Sequence, residues 1–325
     1  MKHHRQQGAA LLTALLIVSL VASLAAAMVW RQYRAVQVEA AERARAQADW
    51  MLQGALDWAR IILRADELAN RNKRWDHLGE VWAVPLAEAR LSSFLAQGQG
   101  VTDTTDAGPD AFLSGGITDA QALYNLYNLI PVAPATTVSK VEMDALERLC
   151  AIAGAPPDTA RLIAERLPAA YATTADVETA PLRPVNLDQL AWFGLSQDTI
   201  ERLRPLMVIL PERTLLNLNT ASREVIASTF DNVDLASAER LVQGRKSAPL
   251  DSPAAAAAYL QPAVIQDPNF VNRASVFSSY FFVTGRLRLD QRVLQQRSLV
   301  QRFSDLRVLT LQRQLIGTTP ASPAG

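Results

Sequence analysis

From Ala9 to Trp30 the chain runs 22 residues without a charged side chain, and this stretch limits what the rest can be. As an α-helix rising about 1.5 Å per residue it spans roughly 33 Å, enough to cross the hydrocarbon core of a bilayer. A basic leader precedes it, with Lys2 and Arg5 beside His3 and His4, ending at Gly8. Leu11 to Leu24 followed by Ala25-Ala26-Ala27 would also serve as a cleaved secretory signal, so the residues beyond must discriminate.

Beyond Trp30 nothing breaks the helix. No proline occurs before Pro85, and Gly54 is the only glycine between Gly8 and Gly79. Small and apolar residues recur at Ala44, Ala48, Met51, Ala55, Trp58 and Ile62, in steps of four and three that line one helix face. Glu39, Glu42, Arg43 and Arg45 cover the outer face. The spacing predicts one continuous helix from about Ala9 to about Ala69, far beyond the usual ~11 residues, with that stripe as its packing face.

Downstream the signals are local. "GGITDAQALYNL" opens on Gly115 and Gly116 and reads as a turn into a strand-like segment carrying Tyr124, Leu126 and Leu129. Residues 139–210 read as several helices. Ser139 and Glu142 form a capping box and Gly154 closes the helix they start. Pro157 and Asp158 open the next, which Pro168 stops. Asn186 and Ser196 cap two more. From 276 the period changes: 276–289, 292–303 and 306–315 alternate apolar residues with Arg, Gln and Ser, as antiparallel strands with one wet face do. Asp290-Gln291 and Ser304-Asp305 supply the turns.

Composition narrows the chemistry. Lys+Arg and Asp+Glu each number 32, so no global field favours nucleic acid. Cys150 is the only cysteine, which excludes an internal disulfide and reads as a buried helical residue. No Walker loop, His-Glu-x-x-His, GxSxG or paired-cysteine motif occurs, and no histidine follows His77. The chain therefore reads as no enzyme. Asp267, Asn269 and Asn272 have calcium-binding oxygen chemistry but read as turn formers around Pro268.

The leader, Gly8 and the uncharged helix from Ala9 resemble the signal of type IV pilins and type II secretion pseudopilins. Ordered landmarks extend the resemblance over nearly the whole chain: "ADWMLQGALDWARIIL" (48–63), "WAVPL" (82–86), "GGITDAQALYNLYNLI" (115–130), "PVNLDQLAWFGL" (184–195), "LPERTLLNLNTA" (210–221) and "SYFFVTGRLRL" (279–289). On these the chain is identified as a member of the type II secretion system protein K family of minor pseudopilins. The family implies an α+β pseudopilin fold, with a long N-terminal helix packed on an antiparallel sheet and an inserted all-helical domain of SAM-like or helix-hairpin-helix-like outline. The corresponding segments are a leader over 1–8, a transmembrane half over 9–30, the periplasmic half of the helix with the first part of the pseudopilin domain over 31–135, the helical insertion over 136–250, the C-terminal strands over 251–316 and a disordered tail over 317–325.

The resemblance also implies roles. A prepilin peptidase cuts between Gly8 and Ala9 and methylates the new terminus. Thr13 stands at the fifth mature position, where most pilin-like subunits carry a glutamate, and absence of that carboxylate marks the subunit at the fibre tip. Implied partners are the other minor pseudopilins (proteins I, J and H), the peptidase, the inner-membrane assembly platform and inner-membrane lipid, with the globular part in the periplasm. No cofactor is certain; calcium binding occurs in relatives. Asn217, Asn219, Thr220 and Ala221 form the family motif opening "LNLNTASREVIASTFDNVDLASAERLVQGRK" (216–246). That stretch also resembles the helix-hairpin-helix units of competence-type DNA receptors, so the rival reading is a membrane-anchored DNA-binding protein for uptake. Its hairpin, Phe230 to Asp234, carries Asp231 and Asp234 where phosphate binding needs glycine, and the expectation is no nucleic-acid binding.

Overall fold

The computed structural model describes residues 7–71, 73–90, 111–172, 180–289 and 292–320, with side chains described from residue 10 to 317. Most of the leader, the Asp290-Gln291 turn and the last five residues lie outside this set. The chain divides into two compact units, Met1–Gly54 and Ala55–Gly325.

Helix α1 runs Gln7–Ala69 without interruption, as the absence of proline dictates. From Ala10 to Arg43 every side chain is exposed. The buried line of α1 then runs through Ala48, Leu52, Leu56, Ala59, Leu63 and Glu67. This corrects the expected packing stripe. Of its members only Ala48 is buried; Ala44, Met51, Ala55 and Ile62 are half-buried, and Trp58 is 47% exposed. The line of burial lies about one residue further along, because Ala59 allows a closer approach of backbone to sheet than an indole at that level would.

In the second unit, Leu56, Ala59 and Leu63 pack on a five-stranded antiparallel sheet. Its strands are β1 (Leu86–Arg90), β2 (Ala111–Asp119), β7 (Tyr280–Leu289), β8 (Arg292–Arg302) and β9 (Val308–Pro320), in that spatial order. Trp82, Ile117, Phe281, Val283, Val300 and Val308 complete this core, each large apolar side chain contributing about 1.5–3 kcal/mol by leaving water. The α+β arrangement expected from the sequence is therefore present. Gly115 and Gly116, however, lie inside β2 and form no turn. A Cβ on Gly115 would stand 2.2 Å from the carbonyl oxygen of Thr284, so glycine is there for close strand approach. Strand β9 also continues through Gly317 to Pro320, into residues expected to be tail.

Between β2 and β7 sits a second core, built by α2 (Lys140–Ile152), α3 (Thr159–Tyr171), α4 (Gln197–Leu203), α5 (Arg223–Thr229), α6 (Leu235–Ser247) and two short helices, α7 (Pro262–Ile265) and α8 (Pro268–Val271). The caps act as expected: the side chains of Ser139, Asn186 and Ser196 accept from the backbone N–H three residues on. The segment after Asn186 is a 3-10 helix closed by Gly194 at φ +92°. Gly154, at φ +63°, ends α2.

Three expectations fail here for tertiary reasons. Pro168 lies within α3, whose last turn persists because Leu167 and Ala170 are buried in the helical core. Glu142 does not return to the Ser139 backbone; it is buried, accepting from Tyr124 Oη at 2.6 Å and Arg273 Nη2 at 2.9 Å. The helical core also extends past residue 250, taking in Ala256, Leu260, Val264, Phe270 and Val276. Two-stranded parallel ladders, β3 (Tyr124–Asn125) with β4 (Met207–Val208) and β5 (Leu216–Asn217) with β6 (Ala274–Ser275), tie it together.

Candidate functional site

Two regions carry the sequence-expected residues. The first is the exposed apolar part of α1. Leu11, Leu15, Val18, Val21 and Leu24 are each more than half exposed, and this is the one helix among the described residues long and apolar enough to cross a membrane. Thr13 Oγ1 donates to the Ala10 carbonyl at 2.9 Å, so the hydroxyl is satisfied within the helix and needs no external partner to be buried in lipid. Gly8 and Ala9 belong to the helix backbone, and the Ala9 side chain lies outside the described set.

The second region surrounds the Asn217 motif, where β5 brings four scattered segments together. Asn217 is fully buried. Its Nδ2 donates to Asp119 Oδ2 (3.0 Å), Ser278 Oγ (3.0 Å) and the Asp76 carbonyl (3.3 Å), and its Oδ1 accepts from the Asn219 N–H. Asn219 closes a two-way bond with the Leu250 backbone, at 2.9 and 2.8 Å. Thr220 donates to Asp119 Oδ2 at 2.6 Å, and Ala221 is buried against the helical core. The motif is therefore a junction clamp: its polar atoms hold the end of β2, the loop at Asp76 and the approach to β7, and none is left over for an outside ligand.

Next to it lies a residue the sequence did not single out. Arg302, at the end of β8, donates to Asp76 Oδ1 and Oδ2 at 2.6 and 2.7 Å and to Asp66 Oδ2 at 2.5 Å, with Glu67 at 3.3 Å. One guanidinium thus faces three carboxylates, with a fourth, Asp119, beyond Ser278. Burial dominates the titration of Asp66, Asp76 and Asp119. It pushes Asp76 up to about 7 and Asp66 up to about 6, against the lowering effect of Arg302, and raises Asp119 as well. Asp76, Asp66 and Glu67 hold Arg302 above its ordinary value despite its own burial. Asp66, Asp76 and Glu80 could hold a metal by spacing. Their oxygens are already engaged, Glu80 by Asn70 Nδ2, Trp82 Nε1 and the His77 N–H.

The hairpin between α5 and α6 is similarly committed. Asp231 pairs with Arg148 at 2.8 Å and Asp234 caps α6 by accepting from the Ser237 N–H. Asn232 takes the positive φ of 60° at the turn. Arg245 is buried and donates to the Leu218 carbonyl, so it contributes no surface charge. Two carboxylates at the loop make it a poor place for a phosphate. Asp267 caps α8 through the Asn269 N–H, in keeping with a turn. Cys150 is buried, and desolvation pushes its thiol up to about 12.

A family model described as type II secretion system protein K matches residues 216–276, the stretch from the junction motif to the approach of β7. Three curated proteins carrying the same description are similar over nearly their full lengths. The one from Klebsiella pneumoniae is 30% identical, over 92% of this chain and 94% of its own. Those from Pectobacterium carotovorum and Pseudomonas aeruginosa are 28% and 27% identical, over 98% and 95% of this chain and 99% and 93% of theirs. Among solved structures, a chain of the GspK-GspI-GspJ complex from enterotoxigenic Escherichia coli superposes with a TM-score of 0.63 at 21% identity, covering 85% of this chain and 98% of that one.

Proposed function

We propose that this chain, which belongs to the type II secretion system protein K family, caps the periplasmic pseudopilus and starts its assembly. Membership makes it a minor pseudopilin of the type II secretion system. The observation that carries the tip assignment is Thr13, an uncharged residue satisfied by its own helix, at the position where shaft subunits place a glutamate. A carboxylate in lipid needs a partner, and the fibre supplies one in the amino terminus of the subunit above. A subunit with nothing above it has no use for the acid.

In this reading the peptidase removes residues 1–8 and methylates Ala9. The helix sits in the inner membrane before assembly, with Trp30, Tyr33 and their flanking arginines at the headgroup level. Companion minor pseudopilins pack against the exposed apolar length of α1, a reading supported by the E. coli neighbour's place in a GspK-GspI-GspJ complex, and the helical core stands as the cap. The role needs no catalysis. The aspartates already engaged in the hairpin weigh against DNA uptake.

The test uses intact mass and secretion together. Membrane-extracted protein should begin at methylated Ala9, and a terminus at Met28 would overturn the pilin reading. With each variant as the sole copy, Thr13→Val should support secretion of a reporter and fibre initiation normally, since both residues are β-branched and similar in size. Thr13→Glu should do no better, and a clear gain with glutamate would refute the tip position.

A further inference from the structure

The chain is neutral overall, yet residues 280–320 hold seven arginines against only Asp290 and Asp305. Several of these guanidiniums are committed: Arg302 to its buried carboxylates, Arg288 to Glu88, Arg307 to Asp305. Arg297, on β8, is not. It lies half-buried with its guanidinium carbon 3.6 Å from the centre of the Phe282 ring, and among the described residues no carboxylate comes within ion-pairing distance and no acceptor within hydrogen-bond distance.

Arg297 lines a cleft of about 40 Å³ between the outer face of the sheet and the Asn186–Asp188 segment, with Arg204 also on its wall and Leu299 and Phe282 among its lining. The adjacent carboxylate, Asp188, is already held by Arg204 at 2.5 Å and Gln314 at 2.6 Å. Burial first, and then the neighbouring charge of Arg204, hold Arg297 below its ordinary value, with Asp188 acting the other way. A guanidinium fork matches a carboxylate with two parallel hydrogen bonds. The cleft opens beside β9, an edge strand of the sheet among the described residues. Between register shifts at Leu311 and Ile316, β9 offers a regular stretch, Gln312–Leu315, whose outer side meets no partner strand among the described residues.

We propose that this cleft receives a carboxylate of an acidic, extended polypeptide running along β9, with Arg297 as the anchor and Leu299 and Phe282 taking an adjacent apolar group. The proposal is independent of the tip assignment, because it concerns one face of the periplasmic unit and not the membrane helix.

The experiment is a fluorescence-anisotropy titration of the full-length protein in detergent micelles with a labelled peptide alternating valine and glutamate. Its valine–lysine counterpart and free glutarate serve as comparisons. The acidic peptide should bind, weakening with salt. Arg297→Met, which keeps a stem on Phe282, should weaken it by about tenfold or more, and Arg297→Lys by less. Melting temperatures of both variants should match the parent. Unchanged affinity in Arg297→Met, equal binding of the lysine peptide, or no binding of the acidic peptide at millimolar concentration would overturn the proposal. Glutarate binding as tightly as the peptide would overturn its polypeptide half, leaving a small-carboxylate site.

Discussion

Replacing Arg302 with methionine removes the guanidinium that Asp66, Glu67 and Asp76 share while keeping much of the side chain's bulk. Breaking a buried pair from one side costs about 3–5 kcal/mol, because the remaining charges stay desolvated. For a folded unit of this size each kcal/mol shifts the midpoint by about 2–4 °C, so at pH 8 the loss should be on the order of 10 °C. The pH dependence follows from the carboxylates. Burial raises Asp66 and Asp76 from 3.8 to about 6 and about 7, so the folded chain holds these protons more tightly than the unfolded one. The stability they contribute is fully present below pH ~4 and is lost as pH rises through 6 and 7. Asp76 alone gives up to ~4 kcal/mol across that window. The parent protein should therefore melt higher at pH 5.5 than at pH 8. Without Arg302 the carboxylates take up protons more readily still, and the variant's deficit should shrink clearly at pH 5.5. Asp188, Glu201, Asp234 and Asp305 have lowered values, so what they contribute fades only below pH ~4, outside the comparison. Thermal melts followed by near-ultraviolet circular dichroism, on full-length protein in detergent at both pH values, read the difference. Equal losses at the two pH values, or a parent that melts higher at pH 8, would refute this account of the junction.

Gly115→Ala should cost about 1–3 kcal/mol in urea unfolding, since its Cβ would meet the Thr284 carbonyl oxygen and two backbones must separate. Gly116→Ala, with 3.8 Å of clearance, is the control and should cost well under half as much; equal costs would show that close approach is not the reason for glycine. Cys150, buried and with its thiol pushed up, should resist iodoacetamide at pH 8 and react in step with unfolding as urea is added; prompt labelling of the native protein would contradict its burial.

What the sequence revealed was governed by distance along the chain. Helix α1 was legible because an unbroken run and the lack of proline act residue by residue, and the caps at Ser139, Asn186 and Ser196 were legible because each acts within one turn. Gly115 was misread because its constraint is Thr284, a neighbour only after β2 and β7 have paired. Glu142 looked like half of a capping box because Arg273 is 131 residues away. Trp58 was assigned to the packing face because apolar character alone cannot rank it against Ala59 on adjacent helical positions. The Asn217 motif was noticed by its resemblance, yet its clamp role depends on Asp76, Asp119 and Ser278, which no short pattern unites. Arg302 passed as one more polar residue on a strand for the same reason.

The route of the chain through the sheet has an energetic consequence. Strands β2 and β7 pair from Asp119↔Phe281 to Ala111↔Leu289, with the entire helical core threaded between them. If those intervening residues were unstructured, closing a loop of that length would cost ~4–5 kcal/mol of chain entropy before the first β2–β7 contact formed. Once the helical core has folded, its exit at Asp119 and its return at Tyr280 are already held side by side through Gln121, which donates its N–H to Asp119 and accepts from the Ser279 and Tyr280 N–H groups. The large insertion that interrupts the sheet in sequence thus works as a splint for it, turning the longest-range strand pairing among the described residues into a hairpin-like closure.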